Sequence, residues 1–218
     1  MADGFEAMIH AARGFFAELA RNNERAWYEA NKARYVDQIK KPAEFFADLI
    51  AEDLARLTGA AVKPKLFRIH RDVRFSKDKT PYNTHLHLLW SPVSGGVLAP
   101  GWFFGLGADY FTLGLGVMGL QGESLARYRA FVDRHGDAVQ GALARSGATL
   151  SDWGPAPLKR VPKPYAADHP HGDLLRRKAL TVALEMPEDW EAVGLVKSVN
   201  AQFARLRPLH DVLARSDG

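Results

Sequence analysis

KPKLFRIHRDVRFSKDKTPYNTH, residues Lys63 to His85, is where the chain passes from helical periodicity to alternation. Phe67, Ile69, Val73 and Phe75 fall on one parity, and Arg68, His70, Asp72 and Arg74 on the other. Side chains along a strand point to opposite faces with period two. The pattern therefore predicts a strand over Arg68–Phe75, with an apolar row entering a core and a charged row facing outward. Arg71 breaks the apolar row and marks a bend or bulge. Seven basic residues (Lys63, Lys65, Arg68, Arg71, Arg74, Lys77 and Lys79) stand against Asp72 and Asp78, a local balance of +5 in a chain whose total is +4. The remainder of the chain is close to neutral.

Upstream, Phe5, Ile9, Ala12, Phe16 and Leu19 recur at helical spacing. Asn22 and Asn23 interrupt them and are suited to cap a second helix, which carries Trp27 and Tyr35. Pro42 suits the first turn of a third helix bearing Phe46, Leu49, Ile50, Leu54 and Leu57, with Gly59 as its stop. Downstream, strands are predicted over Thr84–Ser91, Trp102–Ala108 and Tyr110–Met118, the last two as a hairpin. In that hairpin Gly105, Gly107, Gly114 and Gly116 leave one sheet face nearly bare, so another element or a ligand can approach closely. Two helices broken at Gly136 follow, then a Pro-, Lys- and His-rich extended segment from Trp153 to His171. A late strand over Lys178–Glu185 precedes a last helix opened by Pro187 and interrupted by Pro208. Helices, adjacent strands, then helices again give an α+β fold: a mainly antiparallel sheet flanked by N-terminal and C-terminal helices, one domain over residues 1–218.

With 47% hydrophobic and 25% charged residues the chain is ordinary globular material. The absence of cysteine excludes disulfides and thiolate metal sites and fits a reducing compartment. No apolar run approaches the length of a membrane span, and the N-terminus lacks a signal peptide's continuous apolar stretch, so a cytoplasmic protein without membrane partners is expected.

The opening residues Asn22-Asn23, Trp27, Asn31-Lys32, Tyr35 and Pro42 resemble a widespread, mainly bacterial family of conserved hypothetical proteins, domain of unknown function 2461. RIHRDVRFSKDKTPYNTH, Arg68 to His85, resembles its most distinctive motif. Leu158-Lys159-Arg160, Pro162, Tyr165, Asp168-His169-Pro170 and Leu174-Leu175 resemble its second block. Asn83 and Pro164 depart from the residues that resemblance implies, a Lys and a Gly. It implies one compact domain and carries no activity, substrate or catalytic residue.

Guanidinium groups fork onto phosphate or carboxylate, so the basic strip is read first as an oxyanion site. The candidate ligand-binding residues are Asn23, Trp27, Arg68, Arg71, Asp72, Arg74, Lys77, Lys79, Tyr82, His85, Arg160 and Lys163. Asn23 and Trp27 would line one side of the cleft, and the Lys159–His169 segment would close another. A small phosphate- or carboxylate-bearing ligand is the leading partner, with an enzyme of unnamed reaction as a variant of that reading. Nucleic acid along the basic strip ranks second. A structural or interaction module with an internal Arg/Asp network ranks third, because paired charges imitate functional sites.

His70, His85 and Asp72 are the candidates for proton transfer, but no nucleophile sits in a strained elbow beside them. The pairs His85/His87 and His169/His171 lack a third ligand at recognisable spacing, so no metal is expected. No dinucleotide or P-loop order of glycines leads from a strand into a helix, and no cofactor is implied. Oligomeric state is not read from these residues.

Overall fold

The computed structural model describes residues 4–215. Helix α1 spans Glu6–Arg21 and α2 spans Arg25–Tyr35; a wide turn of π-helix, Val36–Lys40, joins α2 to α3, Lys41–Thr58. Gly59 ends α3 at φ 75°, a left-handed stop that glycine adopts without a Cβ penalty. Strands β1 (Val62–Leu66), β2 (Leu86–Pro92), β3 (Gly101–Leu106) and β4 (Phe111–Val117) follow. Helix α4 (Gly122–Ser146), β5 (Thr149–Leu150), the short α5 (Gly172–Leu175), β6 (Leu180–Glu185), the short α6 (Trp190–Val193) and α7 (Leu195–Ala214) complete the chain. The six strands form one sheet in the order β1-β2-β3-β4-β6-β5, antiparallel at every pairing. The α+β reading holds.

Register separates the two faces of the sheet. Trp90, Trp102, Leu115, Val182 and Leu150 lie opposite one another across successive strands, so they share one face. That face meets the helices. Trp90 packs edge-on against Phe203 of α7 and donates its indole N–H to the Ala47 carbonyl of α3 at 2.8 Å. Phe46 of α3 meets Phe104, and Trp102 meets Phe203 and stacks on His210. Tyr128, Phe131, Val132 and Val139 of α4 join the same core. Burying several such large rings, at about 1.5–3 kcal/mol each, makes this interface the main source of stability.

The second face carries Lys65, Leu89, Phe103, Gly114, Ala183 and Thr149 in one register row. It is the face on which the hairpin glycines leave room.

Several expectations are corrected. The strand predicted over Arg68–Phe75 lies earlier, at Val62–Leu66; Phe67 N–H makes a last bond to the His87 carbonyl, and the chain then leaves the sheet. Residues 68–85 form a loop pinned by an isolated bridge between His70 and Tyr82. The period-two pattern misled because only Ile69 of the apolar row is buried, while Phe75 is 96% exposed. The charges pair locally, Arg71 with Asp78 and Arg74 with Asp72. The backbone of this stretch bonds within the loop, Arg71 N–H to the Pro81 carbonyl and Asn83 N–H to the Ile69 carbonyl, instead of to a neighbouring strand.

The break expected at Gly136 is present within α4: His135 (φ −127°, ψ 15°) leaves the helical region and kinks α4 into two helical halves just before Gly136. Gly136 is small because the His171 ring occupies the place of its side chain; a Cβ there would lie 2.1 Å from that ring. Pro208 does not interrupt α7, since Leu206, Leu209 and Leu213 on either side are fully buried and packing overrides the lost hydrogen bond. Gly194, at φ 97°, breaks the last helical region instead, between α6 and α7. Neither Asn22 nor Asn23 caps α2; Glu24 holds the cap position, without a side-chain bond.

Candidate functional site

The basic loop satisfies much of its own charge. Arg71 donates to the Asp78 carboxylate at 2.6 Å and to the Thr80 carbonyl at 3.0 Å, and also meets the Thr80 hydroxyl. Arg74 forks onto Asp72 at 2.9 and 2.7 Å. The Lys79 ammonium donates to the Val73 carbonyl at 3.0 Å. The Thr80 backbone N–H, then Arg71 and the Thr80 hydroxyl, hold the Asp78 carboxyl down to about 2. Arg74 bonding lowers Asp72 in the same sense. The side chains of Arg68 and Lys77 take part in no hydrogen bond or ion pair among the described residues.

Asn23 and Tyr82 come together. The Asn23 amide donates to the Tyr82 carbonyl at 2.9 Å and accepts from the Tyr82 N–H at 3.0 Å. Tyr82 is buried and stacks on Tyr28 with ring centroids 4.3 Å apart, and His70 meets both rings edge-on. Trp27 turns to Phe15 of α1, so its neighbour Tyr28 is the aromatic residue that receives the loop. Arg160 and Lys163 are exposed on a segment bonded to α4. There Tyr128 donates to the Leu174 carbonyl, Arg129 to the Leu175 carbonyl, and His169 lies 3.0 Å from Asp133. Among the described residues no hydrogen bond or ion pair joins that segment to the 68–85 loop. The structure thus assembles Asn23, Tyr82 and the loop, and leaves Arg160 and Lys163 elsewhere.

His85 belongs to a different place. Its ring stacks on His87 at 3.7 Å, and His87 lies on the second face of the sheet. Here a groove of about 1560 Å³ runs across the strands. Phe67, His87, Leu89, Phe103, Tyr110 and Trp153 line it, together with the 93–99 loop and, toward β6, Thr181, Ala183 and Glu185. The rings form a connected row: Trp153 to Phe103 at 4.8 Å, Phe103 to His87 at 4.9 Å, and His87 to Phe67 at 6.1 Å. The glycines make this possible. A side chain on Gly114 would strike Trp153 at 2.6 Å, and one on Gly107 would strike Tyr110 at 2.2 Å.

His87 Nε2 lies 2.6 Å from the Tyr110 hydroxyl. Burial, and then the neighbouring His85, push His87 down to about 3, while burial and Asp109 push the Tyr110 phenol up to about 12. Both groups are neutral near pH 7. Lys63 and Lys65, opposite Ser91 and Leu89, bring positive charge to the same face at the sheet edge. The Lys65 ammonium stands 5.2 Å from the Phe67 ring centroid.

The groove was half legible. The parity of His85, His87 and Leu89 and the bare glycine strip are sequence signals. Tyr110 carries a signal too, since it shares the parity of Thr112, Gly114 and Gly116 in the strand predicted over Tyr110–Met118. Trp153 carries none, because it reaches the groove from outside the strand pattern. Among the described residues, no group of three or more His, Asp or Glu side chains is arranged to hold a metal ion.

The sequence profile described as conserved hypothetical protein (DUF2461) matches residues 11–211, nearly the whole chain and both of the segments just described. The chain belongs to the DUF2461 family. In this DUF2461 protein the long central motif is accordingly a loop clamped to α1 and α2, and the second block is a strap on α4. A search among curated proteins found no match. No helix among the described residues is long and apolar enough to cross a membrane.

Proposed function

We propose that this DUF2461 protein binds a small organic anion on the open face of its sheet. The planar or apolar body would lie along the ring row, and the phosphate or carboxylate would meet Lys63 and Lys65 at the β1 edge. The observation that carries the reading is the connected row Trp153, Phe103, His87 and Phe67 along a groove of ligand size. Ligand sites are concave, mostly apolar, and fitted with a few polar groups that fix orientation. Arg71 and Arg74 already hold carboxylates, which favours the edge lysines as the anion contact. The neutral His87–Tyr110 pair favours recognition over proton transfer, because a general acid or base works best with a pKa near the operating pH.

The internal-network reading is favoured for one part of the molecule, the loop itself. The pairs Arg71–Asp78 and Arg74–Asp72 support it there.

The test is a panel of aromatic carboxylates, nucleotides, phosphate and pyrophosphate, read by melting temperature and tryptophan fluorescence. A ligand at 100 times its dissociation constant stabilises the folded state by about 2.7 kcal/mol. At least one planar anion should raise the melting temperature and quench Trp153, with Trp153→Phe assigning the signal. Phe103→Ala and Lys65→Ala should each weaken the response. A panel that moves neither signal sinks the proposal.

A further inference from the structure

We propose that the basic loop is a docking finger for single-stranded nucleic acid, with Phe75 as the residue on which a base stacks. A turn closed by the Ser76 N–H on the Val73 carbonyl, 3.3 Å, presents Phe75 at 96% exposure. A large apolar side chain held so completely in water has no folding role. Nor is the loop loose: Arg71, Lys79 and the Asp72–Arg74 fork tie it to itself, so the ring is presented at little further ordering cost.

The surroundings fit a polyanion with flat bases. The Arg74 guanidinium lies 5.9 Å from the Phe75 ring centroid, and the Lys65 ammonium repeats that pairing on Phe67. The side chains of Arg68 and Lys77, without hydrogen bonds or ion pairs among the described residues, are available to phosphates. Aromatic platforms with flanking cations are the usual unit of sequence-tolerant strand binding. A membrane surface fits less well. Phe75 is the sole large hydrophobic side chain exposed between Arg68 and His85, and one inserted group gives only marginal attachment. The inference does not depend on the groove.

The experiment uses the full chain and a fluorescein-labelled oligothymidylate of about a dozen nucleotides, read by anisotropy. Binding through two or three phosphates should weaken about 7- to 20-fold between ~50 and ~200 mM salt. Phe75→Ala should weaken it about tenfold through the lost stack, and Phe75→Trp should preserve it. Phe75→Leu, apolar but unable to stack, should behave like Phe75→Ala. All three should melt like wild type. No binding by wild type would overturn the proposal, as would an unchanged Phe75→Ala. A Phe75→Leu variant as tight as wild type would also overturn it. So would sedimentation with phosphatidylserine vesicles, retained in Phe75→Leu, without oligonucleotide binding.

Discussion

Asn23 and Tyr82, 59 positions apart, exchange two hydrogen bonds in which the Asn23 side chain imitates a strand backbone, giving 2.9 Å to the Tyr82 carbonyl and taking 3.0 Å from its N–H. This clamp holds the 68–85 loop to the α1–α2 junction and seats Tyr82 against Tyr28.

Asn23→Ala should therefore destabilise the protein by about 2 kcal/mol, two part-buried bonds at about 1 kcal/mol each. Asn22→Ala, which loses only an exposed bond to the Glu18 carbonyl, should cost less than about 0.5 kcal/mol. Urea midpoints at constant m-value check both. Equal effects would mean that the clamp carries no special weight.

His87 supplies a pH dependence. Its folded value, about 3, lies below the ordinary 6.5, so the unfolded chain takes the proton first. The associated stability is complete above pH 6.5 and drains away as pH falls toward 3. At pH 5 the loss should be about 1–2 kcal/mol. His87→Gln should flatten the stability curve across that window. A wild-type curve with no slope there would show that His87 does not remain neutral in the fold.

Asp78 acts lower on the scale. Its folded value, about 2, lies below the ordinary 3.8, so its contribution is present above 3.8 and is lost as pH falls toward 2. Arg71→Ala removes one of the groups that hold it and frees the loop. Trypsin should then cut at Lys77 or Lys79 faster than in wild type, while the melting temperature changes little. Unaltered cleavage would show that the loop is ordered by something else.

Gly136→Ala should cost about 1–3 kcal/mol, since the new methyl collides with His171, a buried ring by which the strap seats against α4. Adding His171→Ala should recover part of that cost, so the two changes should be less than additive. Additive losses in thermal or urea unfolding would place the strain elsewhere.

The sequence by itself determined the elements whose pattern coincides with burial. Leu86, Leu88 and Trp90, Trp102 and Phe104, Leu113 and Leu115, and Leu180 and Val182 alternate because one face of each strand enters the core, so strand identity and the α+β class follow from period alone. Helices α1 and α3 were equally legible, since each buries a continuous stripe.

Only the tertiary structure decided the fate of the Lys63–His85 stretch. Its alternation is real, but the apolar row finds no core beyond Ile69, and the charged row closes on itself through Arg71, Asp78, Arg74 and Asp72. Local pattern cannot distinguish a charge that faces water from one with a partner seven residues away. The same limit hid Tyr28 under Tyr82, Trp153 over Gly114, and His171 in the place of a side chain at Gly136. Those contacts join distant parts of the chain, and their partners are fixed only when the packed layers set which surfaces meet.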